Sequence, residues 1–481
     1  MSVGTGAEKP PGDGTLARAA TIATYSIVGL ALVASRIIGL DASFWTDEIT
    51  AVADFIRVGP REILAGPDLS HELYGILAWL TSSTVGESEV ALRLLSVVPF
   101  LAGVALVTVW LHRRSGAVAG VLFLLLATVS PLLLDITRQA RGYGLAFLAM
   151  SVLVVAALEA ERSGRTWAIV ALCAAGLVGT ATLPQFGIAF LATGAVLLTE
   201  QVLRRRIAFG LAVTTVLLVA WYAPHLGQVG DASQIEDGVR IDTVWLVTAP
   251  IDQILLPALL WIDGTVLVAR VVWLPLVLLA TFVMGSSPLA HRRTSALVLS
   301  AGAVTTVVVL WLADAYVIPR YLSYLLVPLF VLIATGMASL LGGRVSRWAV
   351  VPVVAGVAVL ALLAVRFVTL APDVLRLPRE ANRDAAEVVL SREPPMPVLA
   401  YMRNPRNLEH YLERPVVELR FEDVARRACT SRELVAYVTQ PFGIPAVDVP
   451  CLSRRGVAHR RFEQYARGDE MNVWLIPPPP G

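Results

Sequence analysis

Charge is what this 481-residue chain has least of: 16% of its residues are Asp, Glu, Lys or Arg, where a soluble domain carries about 25%. Hydrophobic residues make up 56% and mean hydropathy is +0.69, which excludes an ordinary soluble globule and implies a polytopic membrane protein. Lysine is almost missing, Lys9 being the single one. No dense basic face interleaved with aromatics occurs, which argues against a nucleic-acid partner. There is no Gly-rich phosphate loop, so no nucleotide site is expected. Of the three cysteines, none stands in a spacing that resembles a zinc site. Cys173 lies in an apolar run and reads as a packing residue. Cys429 and Cys451 lie in a polar C-terminal region and could bridge if that region is exported, which spacing leaves open.

Long apolar runs are what the chain has instead. A span needs about 20 apolar residues, and candidates fall at 19–40, 92–111, 117–134, 143–159, 167–183, 186–203, 208–224, 267–284, 295–313, 322–341 and 348–370. The predicted architecture is therefore a polytopic all-α membrane protein of about 11 transmembrane helices. The run after Ala19 is too long for a signal-peptide core and lacks a convincing cleavage site, so it reads as a retained span. Residues 1–18 read as a disordered cytoplasmic N-terminus, 19–371 as the transmembrane domain and 41–90 as its first outer loop. Positive charges at His112-Arg113-Arg114, Arg162 with Arg165, Arg204-Arg205-Arg206, His291-Arg292-Arg293 and Arg344 with Arg347 fall on alternate connections. The positive-inside rule makes those connections cytoplasmic, which puts the N-terminus inside and the C-terminus outside a bacterial plasma membrane. The stretch 243–266 is apolar but interrupted by Asp252 and Asp263, and reads as an interfacial or re-entrant helix.

In the outer loop, Glu72 to Val85 has helical spacing with interfacial aromatics, so one or two amphipathic helices are expected there. Residues 372–481 change character. Strand-like runs at Pro397–Tyr401, Val416–Phe421, Glu433–Val438 and Asn472–Ile476 alternate with helical ones at Asn382–Leu390, Asn407–Leu412 and Arg461–Ala466. This predicts a small extracytoplasmic α/β domain.

Polar residues collect at the outer boundary: Asp47 and Glu48 after the aromatic anchor Phe44-Trp45, then His71, Glu72, Asp135, Arg138, Arg141, Tyr143, Gln185, His225, Arg320 and Tyr321. Taken singly, each has a plainer reading as a helix end or a snorkelling interface residue. Together they divide into early acids and later cations. A sugar transferase acting on a phosphate-linked lipid needs that division. A carboxylate accepts the proton of the attacking hydroxyl, arginines hold the departing phosphate bidentately, and negative charge favours the oxocarbenium-like transition state.

Five short motifs run in order along residues 20–370. They are Trp45-Thr46-Asp47-Glu48, His71-Glu72-Leu73-Tyr74, Glu89-Val-Ala-Leu-Arg93-Leu-Leu-Ser96, Arg138-Gln139-Ala140-Arg141-Gly142-Tyr143 and Arg320-Tyr321. In this order the chain resembles the GT-C superfamily of membrane glycosyltransferases, particularly glycosyltransferase family 39, the dolichyl-phosphate-mannose protein mannosyltransferase-like bacterial branch. It departs from that pattern in lacking prolines after His71 and in carrying neutral Gln139 where an acid is usual. The resemblance implies an inverting transferase with Asp47 as general base and Glu48 orienting it or binding acceptor. Arg141, Arg320, Tyr321 and Arg138 would hold donor phosphate, and His71, Tyr74 and Tyr143 would contact substrate. The implied donor is a polyprenyl-phosphate monosaccharide presented among membrane lipids, and the acceptor a hydroxyl on a glycan, lipid or protein. No cofactor is expected, with a divalent metal left open. The rival readings are a lipid or small-anion transporter or flippase, and a non-catalytic envelope scaffold. No paired halves favour the transporter.

Overall fold

The computed structural model describes residues 13–65, 71–225, 239–240, 283–284, 286–290, 292–312, 316–317, 319–342, 350–378, 380–392, 395–402, 405–420, 423–439, 449–453, 457–463 and 470–478. The first part of the chain is helical because apolar segments in a bilayer must satisfy their backbone polar groups internally. Helix α1 (Asp13–Ile37) leads to the loop at 41–90. There α2 (Thr46–Thr50) runs straight into a π-helical turn, Ala51–Ile56, followed by α3 (Pro60–Ala65) and α4 (Glu72–Thr84). The described part of the loop thus holds three helices and a π turn, where one or two amphipathic helices were expected. Then come α5 (Glu89–Ser115), α6 (Ala117–Val129), α7 (Pro131–Ile136), α8 (Tyr143–Ser163), α9 (Thr166–Thr182), α10 (Phe186–Leu197) and α11 (Arg204–Tyr222). Helices α12 (Arg293–Leu312), α13 (Leu326–Gly342) and α14 (Val350–Arg376) follow.

The chain is a mostly helical multi-span membrane protein. Six described helical stretches are long and apolar enough to cross a bilayer: Arg18–Ile37, Glu89–Ser115, Tyr143–Ser163, Arg204–His225, Arg293–Leu312 and Arg320–Gly342. Shorter apolar helices are α6, α9 and α10. The predicted span 117–134 is broken at Ser130. Its hydroxyl accepts the Leu133 N–H at 3.4 Å while Pro131 opens α7, a favourable way to start a new helix. The expected span 267–284, apart from Val283 and Met284, and the interfacial segment 243–266 lie outside the described residues, as does most of the N-terminal tail.

Helix α5 illustrates how local chemistry sets an element. Ser88 caps it by accepting the Ala91 N–H at 3.2 Å, Glu89 lies in its first turn, and His112, Arg113 and Arg114 lie in its last, each sign matching the helix dipole. It packs on α8 at a glycine contact. A Cβ on Gly144 would sit 1.8 Å from the Ser96 carbonyl oxygen, and the bare backbone instead lets Gly144 N–H reach Ser96 Oγ at 3.1 Å. The apolar faces of α5, α6, α8, α9, α10 and α13 form one continuous core.

The C-terminal region is a small domain with a mixed sheet. Its elements are α15 (Asn382–Leu390), β1 (Val398–Tyr401), α16 (Arg406–Leu412), β2 (Val417–Glu418), α17 (Val424–Thr430), β3 (Val435–Thr439), β4 (Ala458–Glu463) and β5 (Glu470–Ile476). The sheet order is β2-β1-β3-β5-β4, with β1 parallel to β2 and β3, and β5 antiparallel to β3 and β4. The expected helix at 461–466 is overturned for its described part. Residues 458–463 pair antiparallel with β5, Arg460 opposite Val473 and Phe462 opposite Met471, and a free edge beside an apolar strand outweighs the weak helical spacing. One sheet face packs on α15 and α16. The other covers Cys429 and Cys451, which are disulfide-bonded.

Candidate active site

Three segments distant in sequence meet where α5 and α8 begin: helix α2, the turn 137–142, and Arg320-Tyr321 in the 3₁₀ turn Pro319–Leu325 ahead of α13. Adjacent residues on a helix point about 100° apart, and this splits the acidic pair into two roles. Glu48 turns inward and is fully buried. Its Oε1 accepts Arg93 Nε at 2.9 Å and the Ala140 N–H at 2.5 Å, and its Oε2 accepts Arg93 Nη2 at 2.6 Å and the Trp45 N–H at 3.2 Å. Arg93 also donates to the carbonyls of Leu40, Ala42 and Ser43 at 2.9, 2.6 and 3.1 Å. The pair therefore fastens α2 to α5 and to the 137–142 turn, and Glu48 positions its neighbour while its own oxygens are taken up by that contact.

Asp47 turns toward the cations. Its Oδ2 is ion-paired with Arg320 and lies 3.8 Å from Arg141 Nη2, and its side chain keeps 23% of its exposure. The Arg320 guanidinium sits 5.1 Å from the Trp45 ring centre and 5.8 Å from that of Tyr321. Such cation–π contacts orient an arginine without neutralising it.

Aromatic groups pack beside this cluster. The His71 ring meets Tyr143 edge-on at 4.8 Å and Tyr321 at 5.9 Å, while Tyr143 and Tyr321 stack at 6.2 Å. His71 is 3% exposed, in a left-handed conformation with φ 66°, and its N–H donates to the Thr182 carbonyl at 2.8 Å. Its Nδ1 accepts the Gly142 N–H at 3.2 Å. A Cβ on Gly142 would lie 2.8 Å from that nitrogen, so glycine there permits the contact. Burial, reinforced by Arg141 and Arg320, pushes the His71 pKa well below its ordinary value. With Nδ1 accepting, the neutral ring carries its proton on Nε2, and among the described residues neither that nitrogen nor the buried Tyr143 hydroxyl has a hydrogen-bond partner. Two buried donors without acceptors beside two arginines suit an anionic ligand.

Tyr74 and Glu72 line one small cavity with His71 and Arg141, and the polar groups of the remaining predicted residues are taken up by other contacts. Arg138 donates to the carbonyls of Val374, at 2.6 Å, and Ile38, so it ties the ends of α14 and α1 together. Tyr74 donates to the Leu92 carbonyl at 3.0 Å and packs in the core under α2. Glu72 is buried against His225 Nε2 at 3.1 Å and accepts Trp221 Nε1 at 2.5 Å. Gln139 donates to Asp135 at 2.9 Å.

Four groups from the C-terminal domain have no signature in the sequence. Glu380 accepts the Thr46 N–H at 3.2 Å and its hydroxyl at 2.9 Å, satisfying the exposed N-terminus of α2. Asn407 Nδ2 bridges Thr46 Oγ1 and Glu380 at 2.7 and 3.0 Å. Asn382 donates to the Phe44 carbonyl at 3.3 Å, and the Tyr411 hydroxyl accepts the Phe44 N–H at 2.6 Å. The domain thus clamps the segment that carries Asp47. Among the described residues no group of three His, Cys, Asp or Glu is arranged to hold a metal ion.

No protein-family model matches the sequence, and no curated protein sequence matches it. Solved structures are similar to it. ArnT from Cupriavidus metallidurans in the apo state aligns with a TM-score of 0.55 at 16% identity, over 97% of this chain and 100% of that one. The same protein bound to undecaprenyl phosphate gives 0.54 at 15% identity over the same shares. The Archaeoglobus fulgidus oligosaccharyltransferase in complex with zinc and sulfate gives 0.50 at 12% identity, over 87% of this chain and 68% of that one. The chain shares the fold of these structures, and the likeness does not single out family 39.

Proposed function

We propose that the chain is an inverting glycosyltransferase that moves a monosaccharide from a polyprenyl-phosphate donor to an acceptor hydroxyl on the outer face of the membrane. The observation that carries this reading is the convergence of Asp47, Arg141 and Arg320 on one carboxylate oxygen. In the ligand-free arrangement Asp47 and the donor phosphate compete for the same guanidinium groups. Arrival of the phosphate draws Arg320 and Arg141 onto its oxygens and leaves Asp47 available to the acceptor. The His71 Nε2–H and the Tyr143 hydroxyl supply two further donors to the anion.

The acceptor oxygen then attacks the anomeric carbon from the face opposite the phosphate. Its proton passes to Asp47, the new C–O bond forms, and the bond to the phosphate oxygen breaks. Polyprenyl phosphate leaves with one more negative charge, held by the two arginines. Each half of this division uses residues brought together only by folding. The likeness to a structure containing undecaprenyl phosphate supports a lipid-phosphate donor, and the order of the five motifs supports a family-39-like place within the fold.

We also infer about eleven spans, a cytoplasmic N-terminus and an exported C-terminal domain. The disulfide between Cys429 and Cys451 supports that side, since such bonds persist in oxidising compartments. The test is incubation of purified protein with radiolabelled polyprenyl-phosphate sugars and candidate acceptors. Release of polyprenyl phosphate with label transferred is expected. Movement of intact lipid-linked sugar across a vesicle without cleavage would replace the transferase with a flippase, and neither outcome would leave a scaffold.

A further inference from the structure

We infer that the end of the helical bundle opposite the Asp47 cluster holds a separate binding site for a phosphate-bearing anion. Helices α5 and α8 begin at the Asp47 cluster and carry their last turns away from it. Arg93 and Arg113 are twenty residues apart on α5, roughly 30 Å at the helical rise, which is about the thickness of a bilayer core.

At that far end lies a cavity of about 670 Å³ whose walls include Arg113 from α5, Arg162 from α8 and Arg292 just before α12. That volume falls in the range of small-molecule sites. The acids nearby are already engaged. Glu159 is ion-paired with Arg114 at 2.7 Å and accepts Trp110 Nε1 at 2.9 Å. Glu161 accepts the Ser295 hydroxyl at 2.7 Å. Among the described residues, Arg113, Arg162 and Arg292 have no carboxylate partner. The wall of this recess at the membrane boundary therefore carries four guanidinium groups, Arg114 among them, against the two carboxylates of Glu159 and Glu161, and Glu159 is taken up by Arg114.

The charge bias of membrane proteins explains why arginines stand at this boundary. It does not explain why three of them surround a cavity large enough for a headgroup. Guanidinium forks match phosphate oxygens in geometry, and Leu158 and Leu289 give the same cavity an apolar side against which an acyl or prenyl chain can lie. The recognised chemistry is a phosphomonoester or phosphodiester, from a lipid headgroup or from free phosphate. Neither source depends on the sugar-transfer reading.

The test uses full-length protein in phosphatidylcholine nanodiscs, with and without added phosphatidic acid, read by native mass spectrometry for retained lipid. In parallel, inorganic phosphate is titrated in phosphatidylcholine alone and thermal stability is followed. The comparison is with the triple variant Arg113→Gln, Arg162→Gln, Arg292→Gln, and with Arg165→Gln, an exposed neighbour outside the cavity, as control. Binding is expected to weaken roughly tenfold per arginine removed, as for a lost charge-assisted hydrogen bond, and to be unchanged in the control. Retention of phosphatidic acid lost in the triple variant identifies a lipid headgroup; phosphate-dependent stabilisation lost there identifies the free anion. If wild type binds neither, or the triple variant binds both as well as wild type, no such site exists. Should the triple variant fail to fold, the three single variants read the same binding.

Discussion

Replacing Asp47 with Asn separates the two jobs proposed for this carboxylate. As the proposed proton acceptor it would contribute what a positioned general base does, about 10²–10⁴-fold in rate, or roughly 3–5 kcal/mol of barrier. As the partner of Arg320 and Arg141 it occupies the groups proposed to hold the donor. Asparagine is nearly isosteric but uncharged, so the ion pair with Arg320, a contact of about 1.5–3 kcal/mol, is lost and only a weaker bond to the amide oxygen remains. The side chains keep 23% and 19% of their exposure, so water screens the pair and the lower end applies, equivalent to about tenfold in donor affinity. Asp47→Asn is therefore expected to lower kcat by about two to four orders of magnitude while lowering the donor KM. Because the variant's chemistry is slow, KM then reports dissociation directly. Initial rates with a radiolabelled polyprenyl-phosphate sugar, at varied donor and saturating acceptor, separate the two constants. An unchanged kcat removes Asp47 from the chemistry. A raised donor KM means that the arginines hold something other than the donor phosphate.

Arg93→Ala leaves Glu48 fully buried without its cation, a loss of about 3–5 kcal/mol, so the protein should melt well below wild type in detergent; an equal melting temperature would show that the pair does not hold α2. Glu380→Ala removes the acceptor at the N-terminus of α2, worth about 1 kcal/mol, and amide exchange across residues 44–50 should speed up with a fall in kcat. Equal protection in the two proteins would detach the C-terminal domain from the loop. Burial, with Arg57 nearby, pushes His410 down to about 4 from an ordinary 6.5, so below pH 6.5 the unfolded chain binds its proton first and stability is lost as pH falls toward about 4. His410→Asn should flatten that slope in denaturant midpoints measured across the window, and an unaltered slope would assign it to other groups.

Hydropathy alone placed the apolar helices because a bilayer leaves a long apolar run no other backbone solution than a helix. It could not see that Ser130 and Pro131 would end α6 and open α7, since capping acts over a few residues inside an otherwise apolar run. In the C-terminal domain the stretch 461–466 read as helix because its own residues were weighed without their neighbour. Strand β4 exists through its pairing with β5, a contact that no local pattern encodes.

The sequence by itself determined the membrane class, the long apolar helices, and the presence of acids early and arginines late along one predicted face. Residue type and spacing suffice there, because bilayer insertion and charge placement act on each segment separately. Only the tertiary structure decided that Asp47 and Glu48, neighbours in the chain, part company. One pairs with Arg320 from 273 residues away and the other with Arg93. It alone decided that Arg138 turns to helix-end carbonyls, and that Glu380 and Asn407 from the C-terminal domain fasten the Asp47 helix. The physical reason is the same in each case: a charged side chain under low dielectric goes to whichever partner packing brings within reach, and packing depends on the whole chain at once.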